Sequence, residues 1–444
     1  MGNRETRWLL AEIENWQAEG VVSAETAATL RARYATEQSM GSTWGRIILT
    51  VFGVSLLGLG LIALLAANWE SLTRPMRVVL AFLPLLISVG LYGIGVVKDW
   101  HSRAFLEPLG AFWGLSIGVG ISLIAQTYQI SGSPENFALT WSLLLLPVVW
   151  ATQAVLPVIG YYVGLLVWVS LFKIADGFVC HYWFFALLGI PVIRDVVRAT
   201  ACGIRGQLML WGAVGTALAA LGITLEKQIP GLWIIIYTSI FSLLWLLGIR
   251  IEGNETRGVF HAPLRTLGGV GLFVMLYLLM FQWPWSFEYG FRALESYRSW
   301  VTWSYDLALS VAAPAAATAA WVMVWRGTQQ EAWSWMQLLW GSAFIVVAGI
   351  YVLSWVCMSE AHGHWASVLV LAYLSLLGLG TLLTGIRCRA LAQVKWGVYV
   401  LVLIVLGKFF SSEMSFTTKG VAFIACGTVL LLCSLYTRKG RVSP

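Results

Sequence analysis

The sequence has few charged residues for its length. Only 11% of its 444 residues are Asp, Glu, Lys or Arg, whereas a soluble globular domain contains about 25%. In contrast, 59% of the residues are hydrophobic and the mean hydropathy is +0.78. So few polar side chains cannot cover an apolar core of this size with a hydrated surface. The scarcity of charge therefore excludes a water-soluble globular protein.

Charge is scarcest in a series of apolar runs that recur along the chain. Their lengths are close to the ~20 residues that a helix needs to cross the ~30 Å hydrocarbon core of a bilayer. The alternating segments of ~10 residues that build an outer-membrane barrel are not found. A secretory signal is not expected either, because residues 1–46 are polar and charged. The predicted fold class is all-α, a polytopic transmembrane helical bundle.

The apolar runs predict about 14 membrane spans. In chain order they are Ile47–Ala67, Val78–Val97, Leu109–Ala125, Leu139–Leu156, Pro157–Phe172, Tyr182–Ile193, Leu208–Leu225, Leu232–Ile251, Leu267–Met280, Leu307–Trp325, Met336–Met358, Trp365–Ile386, Val398–Phe410 and Val421–Tyr436. The fifth run follows the fourth almost without a loop, and the sixth is short for a span. If these two runs form a re-entrant pair, the number of spans is 12.

Basic residues predict the orientation of these spans, because Lys and Arg are enriched in cytoplasmic loops. With the N-terminus inside, most of the 28 Lys and Arg residues fall in cytoplasmic segments. The outward segments hold only Arg74, Arg77, Lys173, Lys227, Arg292, Arg298, Lys408 and Lys419. An even number of spans then places both termini in the cytoplasm. This asymmetry accounts for the positive net charge, and nucleic acid is not an expected partner.

The polar region before the first span has a helical pattern of its own. Apolar residues such as Ile13 and Trp16 recur at helical spacing, Gly20 interrupts the pattern, and Ser23 is placed to cap a second helix. The sequence thus predicts three regions: a soluble cytoplasmic helical hairpin at 1–45, a transmembrane helical domain at 46–438 and a cytoplasmic tail at 439–444. Two helices this short are marginal alone. We therefore expect the hairpin to pack on the membrane domain, to self-associate or to bind a cytoplasmic protein.

Polar residues follow the outward ends of the first and third spans. Asn68, Trp69 and Glu70 end the first span. Gln126 and Tyr128 end the third span. Because both ends lie on the outward side, we predict that these five residues form an outward-facing polar site.

The same span ends carry a resemblance to a known family. The matching residues are Trp16, Gly20, Val22, Leu30 and Tyr34 in the hairpin, Ala67-Asn68-Trp69-Glu70 after the first span, Ala125-Gln126-Thr127-Tyr128-Gln129-Ile130-Ser131-Gly132 after the third, and Trp141 in the fourth. Over residues 8–145 the chain resembles the bacterial inner-membrane family called domain of unknown function 2157. The resemblance implies a membrane architecture with an N-terminal hairpin, and no particular activity. Glu70 stands where many family members have Asp.

Glu70 has two interpretations. In the first, Asn68, Trp69 and Glu70 are the polar end of a helix, with the indole anchoring the membrane interface. In the second, the carboxylate belongs to the outward polar site and acts as a base or metal ligand for a sugar acceptor, as in multi-span glycosyltransferases that use lipid-phosphate sugars. The sequence shows no second acidic residue near Glu70, which weakens the enzymatic interpretation.

Glu360, His362 and His364 form the densest group of metal-ligating residue types. They lie in a short outward segment. The two histidines could bind zinc or copper if a third ligand came from elsewhere in the chain. They are weak candidates, because such a segment is more often simply polar. The six cysteines contain no CxxC pair and predict neither a disulfide framework nor a zinc site. No cofactor is expected.

The chain lacks the usual catalytic motifs. It has no GxSxG, Walker or HExxH sequence, and ionisable residues are scarce at span centres, which disfavours a proton-coupled pump. The sequence favours a non-enzymatic bacterial inner-membrane protein surrounded by the lipid bilayer, either transporter- or flippase-like or an envelope scaffold. Two alternatives stay open: a membrane enzyme acting on lipid-linked sugars at the outer face, and a sensor that signals through the hairpin.

Overall fold

The structure is a computed structural model of the chain. The residues that it describes are 12–17, 19–20, 22–30, 72–100, 102–174, 180–199, 203–225, 231–252, 259–285, 300–327, 332–357 and 362–410, with single positions between 49 and 60 and at 417, 424 and 428. The regular structure of these residues is helical, without a strand. The predicted all-α class is therefore confirmed.

The helices fall into two compact units, residues 1–199 and 200–444. The helices of the first unit are α1 (Arg74–Val97), α2 (Arg103–Tyr128), α3 (Pro134–Thr152), α4 (Val155–Ile174) and α5 (His181–Ala199). The helices of the second unit are α6 (Ile204–Thr224), α7 (Leu232–Glu252), α8 (Pro263–Leu279), α9 (Trp300–Gly327), α10 (Ala332–Gly341), α11 (Ala343–Cys357), α12 (His362–Arg387) and α13 (Leu391–Phe410). Short 3₁₀ turns lie at Val259–His261 and Trp283–Trp285.

Hydropathy locates these helices well. Within the described ranges, nine helices are long and apolar enough to cross a membrane. The first and last predicted spans, Ile47–Ala67 and Val421–Tyr436, lie almost wholly outside the described residues. The total of 14 or 12 spans therefore stays a prediction.

Two predicted spans differ in detail from the helices found. The short sixth run becomes α5, which has 19 residues because the helix continues through the polar segment that holds Arg194 and Asp195. The eleventh run is divided at Ser342 into α10 and α11. The Ser342 N–H is shared between the carbonyls of Leu338 and Leu339, so helical hydrogen bonding continues and Trp335–Ser354 still qualifies as one apolar span.

Helix α1 ends in a Schellman motif, in which the residue after the helix adopts a left-handed conformation and the chain turns back. Asp99 has a φ of 53°. The Trp100 N–H donates to the Gly95 carbonyl at 2.7 Å. This turn leads directly into α2, where the ring of Trp100 packs edge-on against Phe105 with centroids 5.6 Å apart.

Helices α2, α3 and α4 pack around Trp141. Its Nε1–H donates to the Gly114 carbonyl on α2 at 2.9 Å. A Cβ added to Gly118 on α2, or to Gly164 on α4, would lie 3.3 Å from the indole. The glycines of α2 thus face a large side chain, whereas glycines in membrane helices more often bring helix backbones together.

In the first unit, polar contacts join those helix ends that the sequence analysis assigns to the cytoplasmic side. The Glu107 side chain, which is 3% exposed, accepts a hydrogen bond from the Val155 N–H at 2.8 Å. The Arg103 guanidinium donates to the Thr152 carbonyl at 3.3 Å. These bonds satisfy backbone groups at the tight α3–α4 corner, where Gln153 has a φ of 48°.

In the second unit, α7 and α8 cross at close range. A Cβ added to Gly248 on α7 would lie 2.5 Å from the Arg265 backbone nitrogen. A Cβ added to Gly268 on α8 would likewise overlap the backbone of Trp245 on α7. Glycine is required at such crossings, because any side chain would push the two backbones apart.

The N-terminal hairpin is partly described. Residues 12–17 and 24–30 are helical, and Gly20 between them has a φ of +73°. The Thr26 N–H donates to Ser23 Oγ at 3.3 Å, which confirms Ser23 as the helix cap. Ile13 and Ala27 are fully buried, as expected for the apolar faces of the two helices.

Candidate functional site

The described residues of the first unit form a groove between α1, α2 and α3. Its volume is about 830 Å³, which is within the range of roughly 300–1,000 Å³ found for small-molecule sites. Its walls are mainly apolar. They are formed by Phe82 and Leu85 of α1, Trp113, Ile117, Ile121 and Ile124 of α2, and Phe137 and Leu144 of α3.

The groove exists because α2 carries small residues on this side. Gly120 faces α1, and a Cβ added there would lie 3.5 Å from the Ala81 carbonyl oxygen. Ala125 lines the groove five residues further along α2. Phe82 on α1 and Phe137 on α3 are 44% and 39% exposed, so the large rings border the space without filling it.

One end of the groove is polar. Gly132, Ser133 and Asn136, from the turn that begins α3, lie at this end. Thr140 follows one turn along α3. An amphiphile could therefore place its chain between the helices and its polar group at the α2–α3 turn.

This polar end lies on the side that the sequence analysis assigns to the outside. Helix α2 ends there in a second Schellman motif, in which Gln129 has a φ of 53°. The Ile130 N–H donates to the Ala125 carbonyl at 2.9 Å, and the Gln129 N–H donates to the Gln126 carbonyl at 3.4 Å. The Ala125–Ile130 part of the family-like motif thus encodes a helix end as well as one end of the groove.

The five residues of the predicted outward polar site are only partly described. Asn68, Trp69 and Glu70 lie outside the described residues. Gln126 and Tyr128 are exposed at the end of α2, beside the groove but not among its lining residues. Whether the five side chains form one site stays a prediction.

The predicted metal ligands are also only partly described. Glu360 and the side chain of His362 lie outside the described part of the chain. The His364 Nδ1 atom is 3.0 Å from the Gln282 amide nitrogen. Among the described residues, no three His, Cys, Asp or Glu side chains are placed to hold a metal ion.

Sequence reasoning missed the groove walls on α1 and α2. Phe82, Leu85 and Trp113 look like ordinary residues of a membrane span, because nothing in an apolar run says which side meets lipid and which meets another helix. A weak signal was available in Ile117, Ile121 and Ile124, whose helical spacing places these three lining residues on one face of α2.

Comparison with protein families supports the resemblance over the part of the chain that contains the groove. Residues 14–157 match the model of the family described as "Predicted membrane protein (DUF2157)". The matched region includes the second half of the hairpin's first helix, the outward polar residues and α1 to α3. No curated protein and no solved structure matches the chain.

Proposed function

We propose that the protein binds the hydrocarbon chain of a membrane amphiphile in the groove of its first unit, as a flippase-like carrier of the bacterial inner membrane would. The observation that carries this proposal is the groove itself, with apolar walls from three helices and a polar end at the α2–α3 turn. The family match gives a membrane protein without an activity. The choice of function therefore rests on the chemistry of the lining.

The lining favours a hydrocarbon chain over a polar solute. Aliphatic and aromatic carbons would be left in contact with water or empty space unless an apolar group covers them. Exposed apolar residues continue along the outer surface of α1, where Val79 and Leu86 are 63% and 64% exposed. A chain in the surrounding bilayer could enter the groove from this side without crossing a hydrated surface.

The proposed orientation, with both termini in the cytoplasm, rests on the distribution of basic residues, and contacts between helices support the alternation of helix directions that it assumes. Hydrogen bonds near helix ends join ends that the sequence analysis places on the same side. Tyr92 donates to the Ala151 carbonyl at the inner ends of α1 and α3. In the second unit, Tyr305 donates to Thr224 Oγ1 at the outer ends of α9 and α6. The polar end of the groove would then face outward.

A photoreactive lipid tests the proposed binding. The purified protein is placed in nanodiscs that contain a trace of phosphatidylcholine with a diazirine on one acyl chain, and labelled peptides are identified by mass spectrometry. We expect the label on lining residues of α1, α2 and α3. Leu85→Trp puts a large ring into the groove and should reduce this labelling about tenfold, which corresponds to ~1.4 kcal/mol.

Leu86→Trp is the matched control. Leu86 is the next residue of α1 and is not among the lining residues, so the same substitution adds the same ring outside the groove. Labelling should be unchanged in this variant. Equal loss of labelling in both variants, or label spread evenly over all exposed helix faces, would contradict the proposal.

A further inference from the structure

The packing of α1 against α2 determines which residues lie beside the polar end of the groove. Tyr92 and Trp113 have ring centroids 5.5 Å apart. A Cβ on Gly95 would meet the Phe105 ring at 2.7 Å, and one on Gly120 would lie 3.5 Å from the Ala81 carbonyl oxygen. Later residues of α1 thus face earlier residues of α2, so the two helices are antiparallel over their whole contact.

This register brings the start of α1 to the polar end of the groove. Ala81 lies level with Gly120, so Arg77 lies about level with Ile124, one turn further along. Arg74 is then about level with the last turn of α2, which ends at Tyr128. Ile124 lines the groove. The first turn of α1, with Arg74 and Arg77, therefore lies beside the groove mouth, although neither residue is among the lining residues.

The two arginines occupy suitable faces of α1. Arg74 precedes Phe82 by two helical turns and Leu85 by three, so it lies on the groove side of the helix. Arg77 lies on the side of Ala81, which faces α2. Its Nε–H donates to the Leu72 carbonyl at 3.0 Å, which holds the guanidinium close to the start of the helix.

The positions of these arginines run against the general charge bias of the chain. Basic residues are depleted from outward segments, and only eight of the 28 Lys and Arg residues are assigned there. Two of them lie within four positions at this mouth. Glu135, the acidic residue in the first turn of α3, is not among the lining residues.

We propose that the ligand of the groove is an anionic phospholipid of the outer leaflet, whose phosphate binds Arg74 and Arg77 while one acyl chain lies along Phe82, Leu85 and Ile121. Guanidinium groups suit this role because they donate two parallel hydrogen bonds to phosphate oxygens, and their positive charges repel the trimethylammonium group of a zwitterionic lipid such as phosphatidylcholine. This inference names the ligand class of the function proposed above and rests on that function. It adds a headgroup requirement that chain binding alone does not need.

The test compares two lipids that differ only in the headgroup. Phosphatidylglycerol and phosphatidylcholine, with the same diazirine on the same acyl chain, are offered in separate nanodiscs to the full-length protein. We expect the wild-type groove to be labelled about five- to 25-fold more by phosphatidylglycerol, because each of the two arginines near an anionic lipid contributes roughly a fivefold preference. The preference should fall as salt is raised.

Variants of the two arginines identify the source of the preference. Arg74→Gln with Arg77→Gln should equalise the two lipids, mainly by lowering labelling by phosphatidylglycerol. Arg74→Lys with Arg77→Lys keeps both positive charges but removes the Arg77 Nε–H that donates to the Leu72 carbonyl. This variant should retain most of the preference, which would show that charge, and not the bond to Leu72, is responsible. Lys98→Gln with Arg198→Gln removes the same charge from the cytoplasmic ends of α1 and α5 and should change nothing.

The outcomes separate this inference from the function on which it rests. Equal labelling of the wild-type groove by both lipids, with labelling still blocked by Leu85→Trp, overturns the headgroup assignment and leaves chain binding intact. A preference that survives the double glutamine variant also overturns it. If neither lipid labels the groove, the proposed function fails together with the inference.

Discussion

At the scale of single residues, Trp141 shows how this membrane protein uses glycine. In a bilayer, helices gain little from the hydrophobic effect on association and depend on close packing and hydrogen bonds. The indole of Trp141 fits against Gly118 and Gly164. Its N–H donates to the backbone carbonyl of Gly114, which no side chain of that residue covers. One side chain of α3 therefore joins α2, α3 and α4, and the first two of these helices form walls of the groove.

Gly164→Ala should destabilise the first unit. The new Cβ would overlap Ser142 Oγ and press on the indole of Trp141, and relief of such overpacking costs roughly 1–3 kcal/mol. The measurement is the midpoint of thermal unfolding in detergent, followed by intrinsic fluorescence. Gly93→Ala is the control, because a Cβ at Gly93 has no atom within 4 Å. Equal midpoints for the two variants would show that the indole is not tightly held.

Glu107 allows a second prediction at this scale. Its side chain is buried and accepts the Val155 N–H. Glu107→Gln keeps an oxygen acceptor of the same reach, whereas Glu107→Leu leaves the N–H unpaired, which costs about 1–3 kcal/mol. We expect the leucine variant to unfold at the lower temperature. The reverse order would mean that burial of the carboxylate costs more than the hydrogen bond contributes.

At the scale of helices, the turn after α2 has a conformation that side chains rarely favour. Gln129 has a φ of 53°, which glycine adopts at no steric cost. Gln129→Gly should therefore stabilise the protein by up to about 1–2 kcal/mol, the cost that an L-residue pays in this conformation, and Gln129→Val should lower stability, because a β-branched side chain is less tolerated there than glutamine. Thermal midpoints measure both effects. If valine is tolerated as well as glycine, the Schellman ending of α2 is incorrect.

The helices were largely predictable, and their partners were not. The apolar runs located α1 to α4 because a span of the bilayer needs an uninterrupted run of about 20 apolar residues. That signal is the same whether a residue faces lipid or another helix. The groove depends on such a difference: Leu85 lines it and Leu86 does not, although the two residues are identical in type. Pairing of helices could not be read from one sequence.

The outward polar site stays a prediction, and only the helix end that belongs to it could be read from the sequence. The ends of apolar runs are visible in the sequence, so Gln126 and Tyr128 were correctly placed at the end of a helix. What these ends face depends on the register between helices. Contacts such as Tyr92 with Trp113 set that register, and neither residue stands out in the sequence. Arg74 and Arg77 gain their significance only from this packing.

At the scale of the whole molecule, the proposals depend on which side of the membrane the groove opens to. Helix α2 has 26 residues and is about 39 Å long, enough to cross the hydrocarbon core. Ser102 precedes it and Ser131 follows it, and both are exposed. In a background without native cysteines, Ser102→Cys and Ser131→Cys are conservative changes that report on the two ends of one helix.

A membrane-impermeant maleimide should label the cysteine at position 131 in spheroplasts and the cysteine at position 102 only in inside-out vesicles. Labelling of both positions from one side would show that α2 does not cross the membrane. A reversed pattern would place the polar end of the groove, with Arg74 and Arg77, in the cytoplasm. Basic residues are common on that side, so their position would no longer need an anionic ligand to explain it, and the outer-leaflet assignment would be wrong even if the groove binds a lipid chain.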